Sequence, residues 1–419
     1  MTDGLGRRRV DGEPGAPPPR RRAWWTERRG RLAVGAALCL GLAACYLGRG
    51  RTRPGPPSSR DVPRVRVALV DGAPRVAVGG LEGLWRIEPS VGDAYVLDGP
   101  EALEAAPLPG ARGLSLGERT LPEADAVTLR PLGQDPHGEP AFELDGRRYR
   151  GRLTLRRVDA SLRAINSVGV EDYLAGVIGH EMPIRWHDAA LRAQAIAART
   201  YALTNLQPGQ DHDLQADTRS QVYRGVMAED ERARRLVGET RGQVVAHGDD
   251  LVVTYFHSTC GGDTVPARWI FPWVERDSEP LSGVGGCVCQ ASRFHRWTKE
   301  VDLSAVGSYA LVLELPLREV RVELWPRGGY VRRMVLVEAS GAETEVSGWE
   351  ARRLFGLRSY AFEPTLGDDG QALAFEGRGW GHGVGMCQYG AEGLASQGWT
   401  AEEILARYYP GTRVESLGY

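Results

Sequence analysis

From Arg64 onward the chain alternates apolar and polar positions in short runs. Val65-Arg66-Val67-Ala68-Leu69-Val70 and Arg75-Val76-Ala77-Val78 are broken by Gly and Pro, the pattern of strands with one buried face. The same texture reaches Tyr149 to Arg156, where Leu153 and Leu155 alternate with polar neighbours, so residues 64–150 are expected to be β-rich. The period then lengthens. Val170 to Ile178 reads as a helix closed by Pro183, whose ring nitrogen has no hydrogen to donate to a continuing helix. A second helix follows, with Asp188 as its expected N-cap and Leu191, Ala195, Ala198 and Ala202 at helical spacing up to about Leu206. Strands and loops alternate after that, including a strand-like Val331 to Glu338, a Gly-dense loop and a last helix at Ala401 to Tyr409. No internal repeat is found. The pattern predicts an α+β fold: a β-rich N-terminal region, then a mixed α/β region over 151–419 that contains a helical hairpin.

The N-terminus has a different character. Residues 1–31 are a basic tail with arginines at 7–9, 20–22, 28, 29 and 31, and they lead into an apolar segment at 32–47. This is an n-region followed by an h-region, which predicts export. Two readings of the segment stand side by side. As an uncleaved membrane anchor it is short of the roughly twenty residues a spanning helix needs, and the preceding arginines orient it. As a lipoprotein signal, Leu42-Ala43-Ala44-Cys45 resembles a lipobox with Cys45 as the lipidation site. The twin Arg28-Arg29 sits among residues that match a folded-export signal poorly. Pro54, Pro56 and Pro57 mark 48–63 as a linker, which argues against a buried core helix. The expected address is the cell envelope.

Composition narrows the partners. The 419 residues carry 52 basic against 54 acidic side chains, a net charge of −2, so no overall field draws the protein onto nucleic acid. Of six cysteines, Cys260, Cys287, Cys289 and Cys387 lie in the body. In an oxidising compartment the expectation is a disulfide from Cys260 to Cys287 or Cys289. The competing expectation is a structural zinc held by His257, Cys260, Cys287 and Cys289, with His295 nearby, although Cys287-x-Cys289 is tighter than the usual ligand spacing. Otherwise no cofactor and no metal are expected.

Three segments carry candidate chemistry: Glu171 to Pro183 (EDYLAGVIGHEMP), Ala193 to Ala202 (AQAIAARTYA) and Gly379 to Ala391 (GWGHGVGMCQYGA). Together and in this order they resemble the stage II sporulation protein D family, which also includes the LytB amidase enhancers. The resemblance spans roughly residues 150–419, and Asp217 to Gly225 and Phe256 to Gly262 look like further family segments. It implies lytic transglycosylase activity on peptidoglycan glycan strands, with Glu181 in the place of the family's catalytic glutamate. The residues support that role independently. Glu181 ends a helix beside Val177, Ile178 and Met182, and an apolar setting raises a carboxyl's pKa toward what a general acid needs. A plain helix-terminal salt bridge is the competing account of this residue.

Around Glu181 the expected substrate contacts are Arg199 and Tyr201 at the far end of the second helix, Gln221 and Tyr223, and His382, Gln388 and Tyr389 in the Gly-rich segment. An Arg there can hold a carboxylate or sugar hydroxyls, a Tyr can stack on a pyranose, and the glycines let backbone approach closely. Each of these has a structural alternative, an Arg bridging loops or a buried His among them. His180-Glu181 is not a zincin motif, because Pro183 interrupts the helix that must align the second His. Gly381-x-Gly383 lacks the frame of a dinucleotide site. Some members of the resembled family carry zinc on a His-Cys pair where this chain has Arg219-Ser220, and Cys387 stands where a serine is common in the family motif.

The reading that follows is an envelope enzyme that cleaves glycan strands in cell-wall remodelling by Glu181 acid/base catalysis. The alternative is a non-catalytic peptidoglycan binder that enhances a separate cell-wall amidase. A purely structural assembly protein is a third class, since the β-rich region has no assigned role.

Overall fold

The computed structural model describes residues 61–419 except 80–82, 100–101, 111, 218 and 307–312. The basic tail, the anchor or lipoprotein segment with Cys45, and most of the linker lie outside the described residues. Among the described residues no helix is long and apolar enough to cross a membrane. The fold is α+β with a strand-rich N-terminal region, as expected.

Two compact units are distinguished. The larger comprises 61–296 together with 378–419. Its first strand, β1 (Arg64–Ala73), buries Val65 and Val67 and turns the alternating Arg64 and Arg66 to the other face. Arg64 reaches Glu139 at 2.7 Å and Arg66 reaches Asp213 at 2.6 Å. Strands β2 (Arg152–Val158) and β3 (Ser161–Gly169) form an antiparallel pair, and β3 continues the sheet onto β1. The sheet has seven strands, extending from β2 through Ala126–Pro131 and Gly83–Pro89 to Tyr95–Gly99 at one end and from β1 to Leu214–Gln215 at the other. A second, six-stranded sheet is built from segments between Val76 and Arg150. Trp85, Ile87, Leu114, Phe142 and Leu153 are nearly or fully buried in the shared core.

β3 runs straight into helix α1 (Val170–Glu181), and after a six-residue turn comes α2 (Asp188–Thr204). The hairpin is therefore present. Asp188, expected as the N-cap, is instead the first helical residue after His187, and its carboxylate pairs with Arg232 at 2.5 Å. α2 is buried almost all round by α1, by α3 (Glu231–Glu239), by β4 (Gln243–His247), and by the two C-terminal helices described below. A helix enclosed on every side must be apolar and slim on every side, and the alanines at 190, 193, 195, 197, 198 and 202 meet that requirement. Beyond β4, the short strand β5 (Phe256–His257) pairs in parallel with β6 (Met386–Cys387), which leads directly into α4 (Gln388–Ala395). Then come α5 (Ala401–Tyr408), opened by a Thr400/Glu403 capping box, and β7 (Arg413–Ser416), which returns to β4.

The smaller unit, Trp297–Gly377, has its own core around Met334, Leu336, Phe355, Leu373 and Phe375. It contains the antiparallel meander Leu317–Leu324, Val331–Glu338 and Glu343–Ser347, whose middle strand is the one read from the sequence. The helix Gly348–Leu354 follows, with a Ser347/Glu350 capping box.

One polar group inside the larger unit stands out. Arg199 on α2 has no solvent exposure, and its guanidinium makes a two-pronged pair with Glu171 in the first turn of α1, at 2.9 and 2.7 Å. It also donates to the carbonyls of Gln243 and Val237. Glu171 further accepts from the Tyr419 hydroxyl at 2.8 Å, which ties the chain's last residue to the hairpin. Removing one partner of such a pair strands a buried charge. Arg199→Met is therefore expected to lower stability by about 3–5 kcal/mol in urea denaturation. A double-mutant cycle with Glu171→Gln is expected to give a coupling above about 1 kcal/mol, and strict additivity contradicts this assignment.

Candidate active site

Glu181 is the last residue of α1, and the helix stops there for a local reason. Met182 leaves helical geometry while its N–H still bonds Ile178 O, and Pro183 has no N–H to offer the next turn. Glu181 is half-buried as a residue, and protein fills most of the volume around its carboxyl. Oε1 accepts the Val222 backbone N–H at 2.9 Å and Oε2 accepts the Gln388 side-chain amide at 3.3 Å. Burial is the largest influence and pushes the carboxyl above its ordinary value of 4.5, while the two donors pull the other way. The salt bridge considered for this residue is not what holds it: both its partners are uncharged.

Val222 is aimed by its neighbours. Residues 221–223 belong to no helix or strand, and there Gln221 and Tyr223 are buried while Val222 between them is partly exposed. Gln221 accepts from the Tyr173 hydroxyl at 2.8 Å and donates to Ala198 O on α2. Tyr223 donates to Asn166 Oδ1 at 2.9 Å, and Asn166 in turn donates to the carbonyls of Arg150 and Arg152. The Tyr223 ring packs so closely on α1 that a Cβ at Gly176 would come within 2.7 Å of it. Gln388 is placed by different means. It opens α4, and its amide also donates to Gln194 Oε1 on α2 at 3.5 Å. The loop that follows Glu181 is tied to α4 as well, through His187 and Glu392 at 2.9 Å.

The expected substrate contacts therefore separate. Gln388 touches Glu181 directly. Tyr389, partly exposed beside it, packs edge-on against Trp186 at 4.8 Å between ring centres. Arg199, Gln221 and Tyr223 are corrected: all three are buried with their polar atoms committed to protein groups, so they build the site's frame rather than line it. Tyr201 is partly exposed and packs edge-on near Tyr255 and Phe256. His382 keeps separate company. Its Nε2 donates to Phe256 O at 2.9 Å, its Nδ1 accepts the Val384 N–H at 3.1 Å, and its ring lies 5.2 Å from that of His257. The glycines around it take left-handed backbone, and at Gly381, with φ +116°, a Cβ would meet that of His257 at 2.7 Å. Burial pushes His257 down to about 4, so it is neutral at physiological pH.

Sequence reasoning did not single out Gln194, Tyr173, Asn166 or Trp186. Gln194 carried the one available signal, a polar residue amid alanines at a core-facing position of α2. Arg219 and Ser220, at the place of the zinc-binding pair of some relatives, serve a local turn: Arg219 pairs with Asp217 at 2.8 Å and Ser220 Oγ accepts the Gln215 N–H. They offer neither thiolate nor imidazole. The expected disulfide is also corrected. No two of Cys260, Cys287, Cys289 and Cys387 are bonded, and His257 is not part of their cluster. Clefts of about 550 Å³ by Lys299 and Phe355, and of about 520 Å³ by Asp135 and Asp172, do not include Glu181.

Residues 158–247, which contain α1, α2 and the Gln221–Tyr223 segment, match the family model described as stage II sporulation protein. The stage II sporulation protein D of Bacillus subtilis is 25% identical over 273 residues, which cover 60% of this chain and 76% of that protein. The chain therefore carries a stage II sporulation protein domain and is similar to proteins of that name. An uncharacterized protein of Brachyspira hyodysenteriae is 28% identical over 286 residues, 66% of this chain and 74% of the relative. The amidase enhancer of B. subtilis is 26% identical over 296 residues, 58% of this chain and 40% of the enhancer.

The raised pKa of the Glu181 carboxyl has a stability consequence. A carboxyl whose folded pKa exceeds its unfolded value contributes stability that is full below the unfolded value and is lost as pH rises to the folded one. Glu181→Gln keeps an acceptor for Val222 and removes the ionisation. The variant is expected to melt higher than the wild type above the ordinary carboxylate range, with the difference shrinking toward pH 4. Differential scanning calorimetry across pH checks this, and a variant that melts lower at every pH contradicts it.

Proposed function

We propose that the protein acts on peptidoglycan in cell-wall remodelling, as a lytic transglycosylase with Glu181 as its acid and base. The observation that carries the reading is the Glu181 carboxyl, held between the Val222 N–H and the Gln388 amide with burial raising its pKa. A carboxyl so placed holds its proton to higher pH than an ordinary glutamate does. It donates that proton to the glycosidic oxygen as the bond to muramic acid C1 breaks. The resulting carboxylate takes the proton of the muramic acid 6-hydroxyl as that oxygen attacks C1. The product is a 1,6-anhydromuramic end, the proton returns to Glu181, and no water is consumed. One carboxylate suffices because the nucleophile belongs to the substrate, unlike the paired carboxylates of hydrolytic glycosidases. Gln388 orients the carboxyl, and the partly exposed Tyr389 beside it is the candidate sugar contact. Export to the envelope, through the N-terminal segment as anchor or lipoprotein signal, is part of the proposal.

A second reading rests on the likeness to the amidase enhancer: a non-catalytic peptidoglycan binder that stimulates a separate N-acetylmuramoyl-L-alanine amidase. The two separate in one experiment. The purified protein is incubated with intact and with peptide-stripped peptidoglycan, and the products are read by mass spectrometry. The enzymatic reading expects 1,6-anhydromuramic ends from the wild type and a fall of at least about 10²-fold for Glu181→Gln, the scale of a lost general acid. No anhydro products from the wild type on either substrate, with binding retained, moves the assignment to the enhancer.

A further inference from the structure

Cys260, Cys287, Cys289 and Cys387 come from three separate stretches of chain, yet their four sulfurs lie within 4.8 Å of one another and all four residues are buried. Cys387 arrives on β6, whose pairing with β5 sets it beside His257, three residues before Cys260. Cys287 and Cys289 arrive on the loop that follows Gly283, and the Cys287 N–H bonds Gly262 O at 2.7 Å. We propose that these four thiolates hold a structural zinc ion, a site distinct from Glu181.

The geometry favours a metal over disulfides. Four thiolates about 2.3 Å from a tetrahedral zinc ion stand roughly 3.8 Å from one another. The Cys260 and Cys289 sulfurs are 3.7 Å apart, whereas a disulfide joins its sulfurs at about 2.05 Å. Two disulfides require two close pairs; here all four sulfurs gather around a single point. The surroundings of the sulfurs give a second, independent indication. Each has a polar neighbour at hydrogen-bonding range: the Gly262 N–H at 3.4 Å from Cys260, the Tyr408 hydroxyl at 3.0 Å from Cys287, and His295 Nδ1 at 3.5 Å from Cys289. The Cys260 and Gly390 N–H groups reach Cys387 at 3.3 and 3.4 Å. Four thiolates around a divalent ion leave a net double negative charge, and a shell of donors is what makes such a site tolerable in a protein interior. A disulfide sulfur, a weak acceptor, has little use for such donors. All-sulfur tetrahedral sets select zinc among the common divalent ions.

The ion fastens the loop at 258–264, the loop at 283–292 and the start of α4 together. Cys387 is the N-cap of α4, and the next residue, Gln388, contacts Glu181. The site is thus a staple one residue from the catalytic carboxyl, and it stands whether the protein is an enzyme or an enhancer.

The test uses the full chain purified without chelator or added metal. Inductively coupled plasma mass spectrometry is expected to find one zinc per chain, and replacement by Co²⁺ is expected to give thiolate-to-cobalt absorption. Cys289→Ser is expected to lose most of the metal and Cys45→Ser to keep it, and removal of the ion by a strong chelator is expected to lower the melting temperature. Should the cysteine variants fail to fold, wild-type metal content and non-reducing peptide mapping still decide the matter. Less than a tenth of an equivalent of zinc, or disulfides mapped among the four cysteines, overturns the proposal.

Discussion

The enclosure of α2 sets the terms for everything around it. A helix covered by α1, α3, α4, α5 and β4 at once keeps only a narrow solvent-reaching edge, at Arg192, Tyr201 and Thr204, and elsewhere cannot place a charge or a long polar chain without a partner. Its alanines admit the neighbouring elements, and each polar group it does carry is put to use. Arg199 is neutralised by Glu171 and so binds α1 to α2. Thr200 Oγ1 donates back to Ile196 O and accepts the Val245 N–H from β4. Gln194 accepts from Gln388. The helix is the common reference from which the three segments of the site are measured.

The site assembled on this reference holds a carboxyl under opposing influences. Protein around Glu181 disfavours its charged form, and the Val222 and Gln388 donors favour it. The proposed role as acid and base needs such a balance, because each protonation state has to be reachable within one turnover. The donors are neutral, so they steady the carboxylate without pinning it ionised as an arginine would. Gln388 is itself placed twice over, by Gln194 at its amide and by the Cys387 cap at the start of its helix. The proposed zinc therefore reaches the chemistry only through position.

Much of this was legible in the chain. Val65 and Val67 alternate with arginines and form a strand; Val331 to Glu338 does likewise; Pro183 closes the helix that ends at Glu181. These are local rules of period and termination. The family motifs named Glu181 and Gln388, and the two are found in contact. What sequence could not tell was which motif residues face the cleft and which face inward. Arg199, Gln221 and Tyr223 sit in the same motifs as the site residues, but partners far away in the chain, Glu171, Tyr173 and Asn166, draw them into the interior. The cysteines show the same limit. Cys387 is about a hundred residues from Cys289, and only the β5–β6 pairing brings it into the cluster in place of His257.

The central claim is that Glu181 holds a proton at pH values where an ordinary glutamate has lost it. The most direct measurement is a carbon-13 NMR titration of the side-chain carboxyls, with Glu181 assigned by its absence from the Glu181→Gln spectrum. The account predicts a midpoint for Glu181 above the ordinary value of 4.5. A midpoint at or below that value shows the carboxyl to be a stabilised anion, and contradicts its role as the acid.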